Sequence, residues 1–598
     1  MADIEVPPDS QTKQRKKSIF DNARRQGSVV EADSIVPDTL DASQLSRADR
    51  RLAELGYPSV YQRHFGWLST LSFALSISGL FASVTTTYIY PLEAGGVSSA
   101  VWCWLISGFG CYCIALSVAE LVSAYPTSGG IYFTCKYLVP PNQVPWVSWV
   151  VGWLNLLGQI AGAASTEYGC AQLLLAAVSM GTDFTTYVPT GKHTVGVMAA
   201  STVFHGALNS LDTSALEKIT KSYVIFHIVV LVACCITLLA CANNNAPRLG
   251  LHTSEYVWTE VVNSSGWTPN GWSWMFGFLG ASWTMTDYDA TAHIAEEIKE
   301  PEVKAAWSIA IALGFTWIGG WLYTIVLAYC TGDVTDKLES KIEQPVAQIF
   351  YEVMGRQAGI FFVVCAYLVL NMTAMTAIQA GSRTIWAFAR DEMLPGSKIW
   401  YKTWSKTDTP VNAVWLFVCC CVLINLIGLG SYTAISAIFN LTAIALDWSY
   451  VIPVLCKMIY GKADKGPFHL GWASWWINAW AVVWTVFVTI IYVQPTLLPV
   501  EADNMNYVSV LMVAVALFAG IYWVVSGRYY YVGPRVRAQL LVGVADEQEG
   551  KGFNEKEKEG GVRGVVMGRR SSVESYGESW GEGGGVREWE RGRVEKGW

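Results

Sequence analysis

Long apolar runs alternate with short polar connectors along most of this chain. Between residues 67 and 526 they fall near 67–91, 98–121, 147–178, 193–211, 218–241, 272–297, 305–330, 359–389, 411–429, 432–456, 473–494 and 506–526. Each is close to the ~20 residues that a helix needs to cross a bilayer. The pattern predicts twelve transmembrane helices, numbered here 1 to 12, in an all-α polytopic membrane protein. Polar, charged stretches flank them: 1–65 and 531–598 read as mostly disordered cytoplasmic arms around a 66–530 helical domain. The first ~65 residues are too polar for a cleavable signal peptide, so helix 1 is expected to serve as its own insertion signal.

Two runs break the pattern from inside. Helix 1 is interrupted by Ser76, Ile77, Ser78 and Gly79, small and hydroxylated residues that loosen a helix. Helix 6 carries Trp283, Thr284, Met285, Thr286, Asp287, Tyr288 and Asp289 where hydrocarbon would surround the chain. An Asp at the bilayer centre costs roughly 2.5–3.5 kcal/mol on insertion scales, so such residues face the protein interior or a cavity. Irregular backbone at that depth survives only where protein or water covers it. The reading is two helices broken in mid-membrane around a small-molecule site. The alternative is a kinked structural helix with its aspartates at the water interface.

The breaks lie five helices apart, the spacing of a five-plus-five inverted repeat whose discontinuous helices meet at the midplane. Freed amides at a half-helix N-terminus suit a carboxylate, and freed carbonyls suit an amine. Trp283 and Tyr288 beside the break offer ring faces to a cation, although packing is the ordinary role of a tryptophan in a chain with 28 of them.

Composition agrees with the pattern: 52% of 598 residues are hydrophobic and only 15% charged, against roughly a quarter in soluble chains. About half of the charged residues sit in the arms, where the two signs balance, and the net charge of −7 says little about partners. Cations orient the helices. With both termini cytoplasmic, inner connectors hold Lys136, Lys218, Lys221, Lys299, Lys304, Arg390, Lys398, Lys402, Lys406, Lys457, Lys462 and Lys465; outer ones hold Lys192, Arg248, Lys337, Lys341 and Arg356. Asn263 then begins a glycosylation sequon in an outer loop. The 14 cysteines show no metal-ligand spacing; Cys241 and Cys330 fall near outer helix ends, where a disulfide is conceivable. No Gly-rich loop ends in Lys-Ser/Thr, so neither a nucleotide cofactor nor an enzyme activity is expected, and nothing points to a nucleic acid partner.

Three motifs bring in a resemblance over about residues 50–530. They are Glu120, Leu121, Ser123, Pro126, Thr127, Ser128, Gly129, Gly130 and Tyr132 after helix 2; Tyr288, Asp289, Ala290, His293, Glu296 and Glu297 in helix 6; and Phe388, Ala389, Arg390, Asp391, Leu394 and Pro395 after helix 8. In these the chain resembles fungal members of the amino acid–polyamine–organocation superfamily, close to the amino acid/choline and 4-aminobutyrate permeases. The resemblance implies ten core helices in two inverted halves plus two more, working by alternating access. It implies that Ser76, Ile77, Ser78 and Gly79 present backbone groups to a substrate carboxylate, with Trp283, Thr284, Thr286, Asp287 and Tyr288 on the amine side. Two departures stand out: the helix 1 break is less glycine-rich than in many relatives, and Asp287 stands where a small residue is expected.

A proton is the coupling ion that the resemblance favours. His227, about 9 residues or ~14 Å into helix 5 at ~1.5 Å per residue, stands where some proton-coupled relatives keep a basic residue; a hydrogen-bonded structural histidine is the alternative. Glu120, Glu296 and Arg390 form a candidate inner gate, joined by Glu297, Lys299 and Arg383, or they are interfacial charges. Asn155, Gln159, Asn371, Thr373 and Asn440 either line the cavity or bond helix to helix. The expected function is import of a small amino acid or related amine, with 4-aminobutyrate leading, in the plasma membrane or, as in some relatives, the vacuolar membrane. Choline or polyamine transport, and a non-transporting nutrient sensor on the same fold, are the alternatives.

Overall fold

The computed structural model describes residues 45–535, apart from 185, 245–250, 341, 343, 405–406, 408, 430–431, 462 and 502–503, together with the backbone of 29–30, 40–41 and 541–542. The expected arms, and the connector cations Arg248, Lys341, Lys406 and Lys462, therefore lie outside the described residues except for 45–65 and 531–535.

Among the described residues, ten helices are long and apolar enough to cross a membrane: Trp67–Thr87, Ile89–Ala124, Val144–Gly181, Thr213–Ala242, Pro301–Cys330, Arg356–Arg390, Val411–Leu429, Ala437–Tyr460, Gly471–Tyr492 and Val508–Tyr530. The chain is thus a multi-pass, all-α membrane protein. Two further predicted runs appear in other forms. Helix 4 is Gly191–Asn209. Helix 6 is a series of short pieces from Asn270 to Glu297.

Apolar side chains face outward and polar ones inward, as lipid requires. Val510, Val513, Leu517 and Ile521 of helix 12 and Ile225, Val229 and Ile236 of helix 5 are exposed. Ser72, Ser76, Thr85, Gln159, Glu167, Asp289, Gln379 and Asp447 are buried between helices. Helix 7 packs along helix 2, and helices 8 and 10 pack along helix 3. Small residues allow the close crossings: the Trp317 ring lies against Gly108 and the Trp104 ring against Gly320. Each of these indoles donates across the same seam, Trp104 Nε1 to Trp317 O at 2.9 Å and Trp317 Nε1 to Leu105 O at 3.0 Å.

Helix 1 consists of Trp67–Ser78 and Leu80–Thr87, separated at Gly79, whose φ of +47° and ψ of +36° are left-handed. A further break falls at Gly95 and Gly96, so helix 2 effectively starts after them. In helix 6 the run Phe278–Met285 ends where Thr286 turns extended (ψ 179°) and Asp287 takes a φ of +65°. Helix resumes only over Ala290–His293. Cys241 and Cys330 are both free thiols.

Candidate functional site

The two breaks border one cavity. Ile77 and Ser83 from helix 1 and Trp283, Thr284, Thr286 and Asp287 from helix 6 line it, with Gln159, Thr166, Thr373, Ala377, Thr442 and Leu446 from helices 3, 8 and 10. It encloses about 380 Å³ of atom-free space, of which about 30 Å³ can be reached by the centre of a water molecule. That is room for about two water molecules, so an organic substrate enters only if the walls move. Trp283 is fixed by a bond from Nε1 to the Ser165 hydroxyl (2.9 Å) and by Phe439, whose ring centroid is 4.8 Å away. Gln159 Nε2 donates to Asp287 Oδ1. The cavity therefore holds one carboxylate, several hydroxyls and an indole.

The backbone around it is shaped by specific contacts. A Cβ on Gly79 would collide with the Thr373 hydroxyl, so glycine is required both by the left-handed turn and by the neighbour. Phe81, near the start of the second half-helix, has a backbone N–H that no turn of its own helix can satisfy. His227 Nε2 accepts it at 3.1 Å. In this state Nε2 is therefore unprotonated, and His227 is a cap on half-helix 1.

Below the cavity the three motifs converge. His293 has both ring nitrogens engaged: Nδ1 lies 3.1 Å from Ser128 O and Nε2 3.0 Å from Asp289 Oδ2. Asp289 also accepts from Asn155 Nδ2 (3.0 Å) and from the Tyr450 hydroxyl (2.7 Å). Ser128 N–H donates to Glu296 Oε1 (3.2 Å), which Arg390 Nη1 also reaches at 2.9 Å. Arg383 Nε meets Glu297 Oε1 at 2.9 Å with neither side chain exposed. The left-handed turn at Gly130 packs on this group, because a Cβ there would stand 2.8 Å from His293 Cε1.

The segments before helix 1 and after helix 12 close over the same end. Phe65 and the end of helix 6 exchange backbone bonds, Phe65 N–H to Glu297 O and Lys299 N–H to Phe65 O. Arg63 Nη1 donates to Ala295 O and Ile298 O. Tyr57 lies under the Arg390 guanidinium, 3.7 Å from ring centroid to Cζ, and its hydroxyl donates to Asp391 Oδ1 at 2.9 Å. Arg535 N–H reaches the same carboxylate at 3.2 Å. Burial pushes the Asp391 carboxyl up to about 6, against the pull of Arg390 and the Tyr57 hydroxyl. Burial and the adjacent carboxylate raise the Tyr57 phenol well above its ordinary value.

The predicted residues divide accordingly. Ile77, Trp283, Thr284, Thr286 and Asp287 line the cavity. Ser76 and Ser78 turn their hydroxyls to neighbouring helices, at Thr376 and Thr316. The Tyr288 ring packs against Tyr450 at 5.3 Å, away from the lining. Glu296 and Arg390 pair, whereas Glu120 belongs to a separate cluster with Lys457 and Ser474. Gln159 and Thr373 line the cavity, Asn155 holds Asp289, Asn371 bonds within its own helix to Tyr367 O, and Asn440 borders a second, smaller cavity. Asn263 Nδ2, the atom a glycan would occupy, donates to Trp267 O and Asn270 Oδ1. Sequence reasoning assigned no role to Tyr57, Tyr450 or the Ser128–His293 contact; the clustering of three motifs at one membrane face was the signal available for the last.

A profile of the Amino acid permease family matches residues 65–516. The chain is 56% identical over 496 residues to an uncharacterized amino-acid permease of Schizosaccharomyces pombe, covering 82% of this chain and 90% of the relative. It is 46% identical over 512 residues to amino-acid permease 2 of Neurospora crassa, covering 85% and 93%. Amino-acid permease BAT1 of Arabidopsis thaliana is 29% identical over 516 residues, covering 84% and 98%.

Proposed function

This chain belongs to the amino acid permease family, a transporter rather than an enzyme, and from that premise we propose that it is a proton-coupled secondary transporter importing a small amino acid or related amine by alternating access. The leading substrate is 4-aminobutyrate. One observation carries the reading: two broken helices, far apart in sequence, border a single small polar cavity. In this proposal twelve spanning helices over 66–530 form a five-plus-five inverted core, with both termini cytoplasmic and the plasma membrane as the address.

The substrate amine sits at Asp287, with Trp283 closing over it. The substrate carboxylate lies toward the break at Ser76–Gly79. Gln159 donates to Oδ1 of Asp287, and the carboxylate has further acceptor sites for the amine. His227 is a first coupling candidate: a proton on Nε2 would oppose the Phe81 N–H and uncap half-helix 1. Glu296 with Arg390 form the inner gate, and Glu120 with Lys457 a second latch at helix 10.

The carboxylate in the cavity favours one second reading, transport of a choline or polyamine cation. Radiolabelled uptake in cells lacking their own permeases separates the two, using a panel of labelled 4-aminobutyrate, neutral, acidic and basic amino acids, choline and spermidine. Uptake of 4-aminobutyrate that is faster at acidic pH, abolished by an uncoupler and indifferent to choline and spermidine is expected. Uptake insensitive to the uncoupler refutes proton coupling, competition by choline supports the cation reading, and ligand binding without flux indicates a sensor.

A further inference from the structure

The Asp289–His293 pair poses a question of proton count. The Ser128 carbonyl can only accept, so His293 Nδ1 must donate to it across 3.1 Å. Its Nε2 faces Asp289 Oδ2 at 3.0 Å. A neutral imidazole carries one donor and one acceptor. Both bonds are made only if the pair holds one proton more than a neutral imidazole beside a carboxylate. Asn155 and Tyr450 donate to the two oxygens of Asp289, which favours the carboxylate and leaves the proton on the ring. Neither side chain is exposed, and the Gly130 backbone closes over the imidazole, so water has no room to replace a lost partner.

We propose that Asp289 and His293 form the proton-binding site of this transporter, and that proton release to the cytoplasm accompanies separation of the inner part of helix 6 from the helix 2–3 connector. The inference rests on the transport reading above. With the proton present, imidazolium links the Asp289 carboxylate to the Ser128 carbonyl and so ties Ala290–His293 to the connector. Without it the ring has a single N–H and must give up one of the two. The docked state thus binds the proton more tightly than the undocked state, and by linkage the proton favours docking. The gate shares the same residue, because Ser128 N–H holds Glu296, the partner of Arg390. The cavity shares the same turn, because Asp289 is two positions beyond Asp287, which lines it.

Other ionisable groups near the pair are accounted for. Asp287 and Tyr288 lie on the same element, Tyr450 faces it from helix 10, where Asp447 is also buried, and Asn155 is the neighbour from helix 3. Helix 8 presents Arg383 and Arg390, each paired with a glutamate of helix 6. On helix 7, Glu302 lies 3.7 Å from Arg47 and Lys304 3.3 Å from Glu300. Lys136, beyond Gly130, donates to Pro534 O, and Trp67–Ser78 carries no ionisable side chain.

The test uses full-length protein in proteoliposomes and the labelled amino acid of the uptake panel that the wild type carries best. Two quantities are read: exchange of internal for external label without a gradient, and accumulation driven by an imposed pH gradient. In His293→Gln and Asp289→Asn the ratio of accumulation to exchange should fall about tenfold or more, the usual scale of coupling between linked sites. Tyr450→Phe, a mild change, removes one donor from the carboxylate. It should move the pH midpoint of accumulation upward by about half a unit or more, because a less stabilised carboxylate holds the proton harder. Gradient-driven accumulation at the wild-type ratio in the two coupling variants overturns the proposal, and so does an unmoved midpoint in Tyr450→Phe should those variants not fold. Loss of coupling in His227→Gln but not in His293→Gln overturns it in favour of half-helix 1. A wild type that exchanges no label instead refutes the transport reading itself.

Discussion

Replacing Gly79 by alanine probes the break in helix 1 directly. Two penalties are expected, and the structure separates them. An L-residue in the left-handed region costs about 1–2 kcal/mol. The new methyl group also meets the Thr373 hydroxyl, and overpacking of this kind costs typically ~1–3 kcal/mol. Gly79→Ala should therefore destabilise by roughly 2–5 kcal/mol. Thr373→Ala in the same chain removes the colliding oxygen and leaves about 1–2 kcal/mol of backbone strain. Unfolding of a protein this size is read as a rate of heat inactivation, in which ~1.4 kcal/mol on the barrier is a factor of ten. Detergent-purified protein heated in steps and assayed for monodispersity should rank wild type first, the double variant second and Gly79→Ala last. Uptake should follow the same order, because the turn at Gly79 sets where Ile77 and Ser83 meet the cavity. Gly79→Ala with wild-type heat resistance and flux would refute the argument that a left-handed turn shapes the site. A double variant no better than the single would refute the assigned collision.

Three further outcomes follow from named contacts. Asp391 is buried, and its carboxyl lies near 6 when folded, against about 3.9 unfolded. The folded state thus holds the extra proton between those values, so the contribution of Asp391 to stability is full below pH ~4, is lost as pH rises to ~6 and is flat above, by at most about 3 kcal/mol. Asp391→Asn should remove that slope from the wild-type-minus-variant difference in melting temperature against pH, and an unchanged slope would refute it. Arg383→Met or Glu297→Leu alone should destabilise by about 3–5 kcal/mol by stranding a buried charge, while the double variant should lose less than either; additive losses in heat-inactivation rates would contradict the pairing. Asp287→Asn should keep protein at the membrane but weaken uptake of amine substrates roughly tenfold or more, the scale of a hydrogen bond to a charged group; unchanged kinetics for every tested amine would make the residue structural.

The sequence by itself determined which stretches enter the bilayer and where two of them cannot stay helical. Both follow from local chemistry. Some twenty apolar residues in a row have one stable environment, and Gly79 or Asp287 within such a run opposes regular lipid-facing helix whatever its neighbours are. The side-chain partners were decided only by the packed structure. Ser128 meets His293, Phe81 meets His227, and Glu120 meets Lys457 instead of Arg390, across sequence separations that no local pattern spans. Each helix repeats every 3.6 residues, but in lipid an apolar face is the outward one. Which polar residue on the inward face meets which therefore depends on helix rotation and depth. Those are fixed by close contacts such as Gly130 on His293 and Trp317 on Gly108. The proton count at Asp289 and His293 became readable for the same reason: it depends on which atoms face the ring, and the order of residues does not contain that.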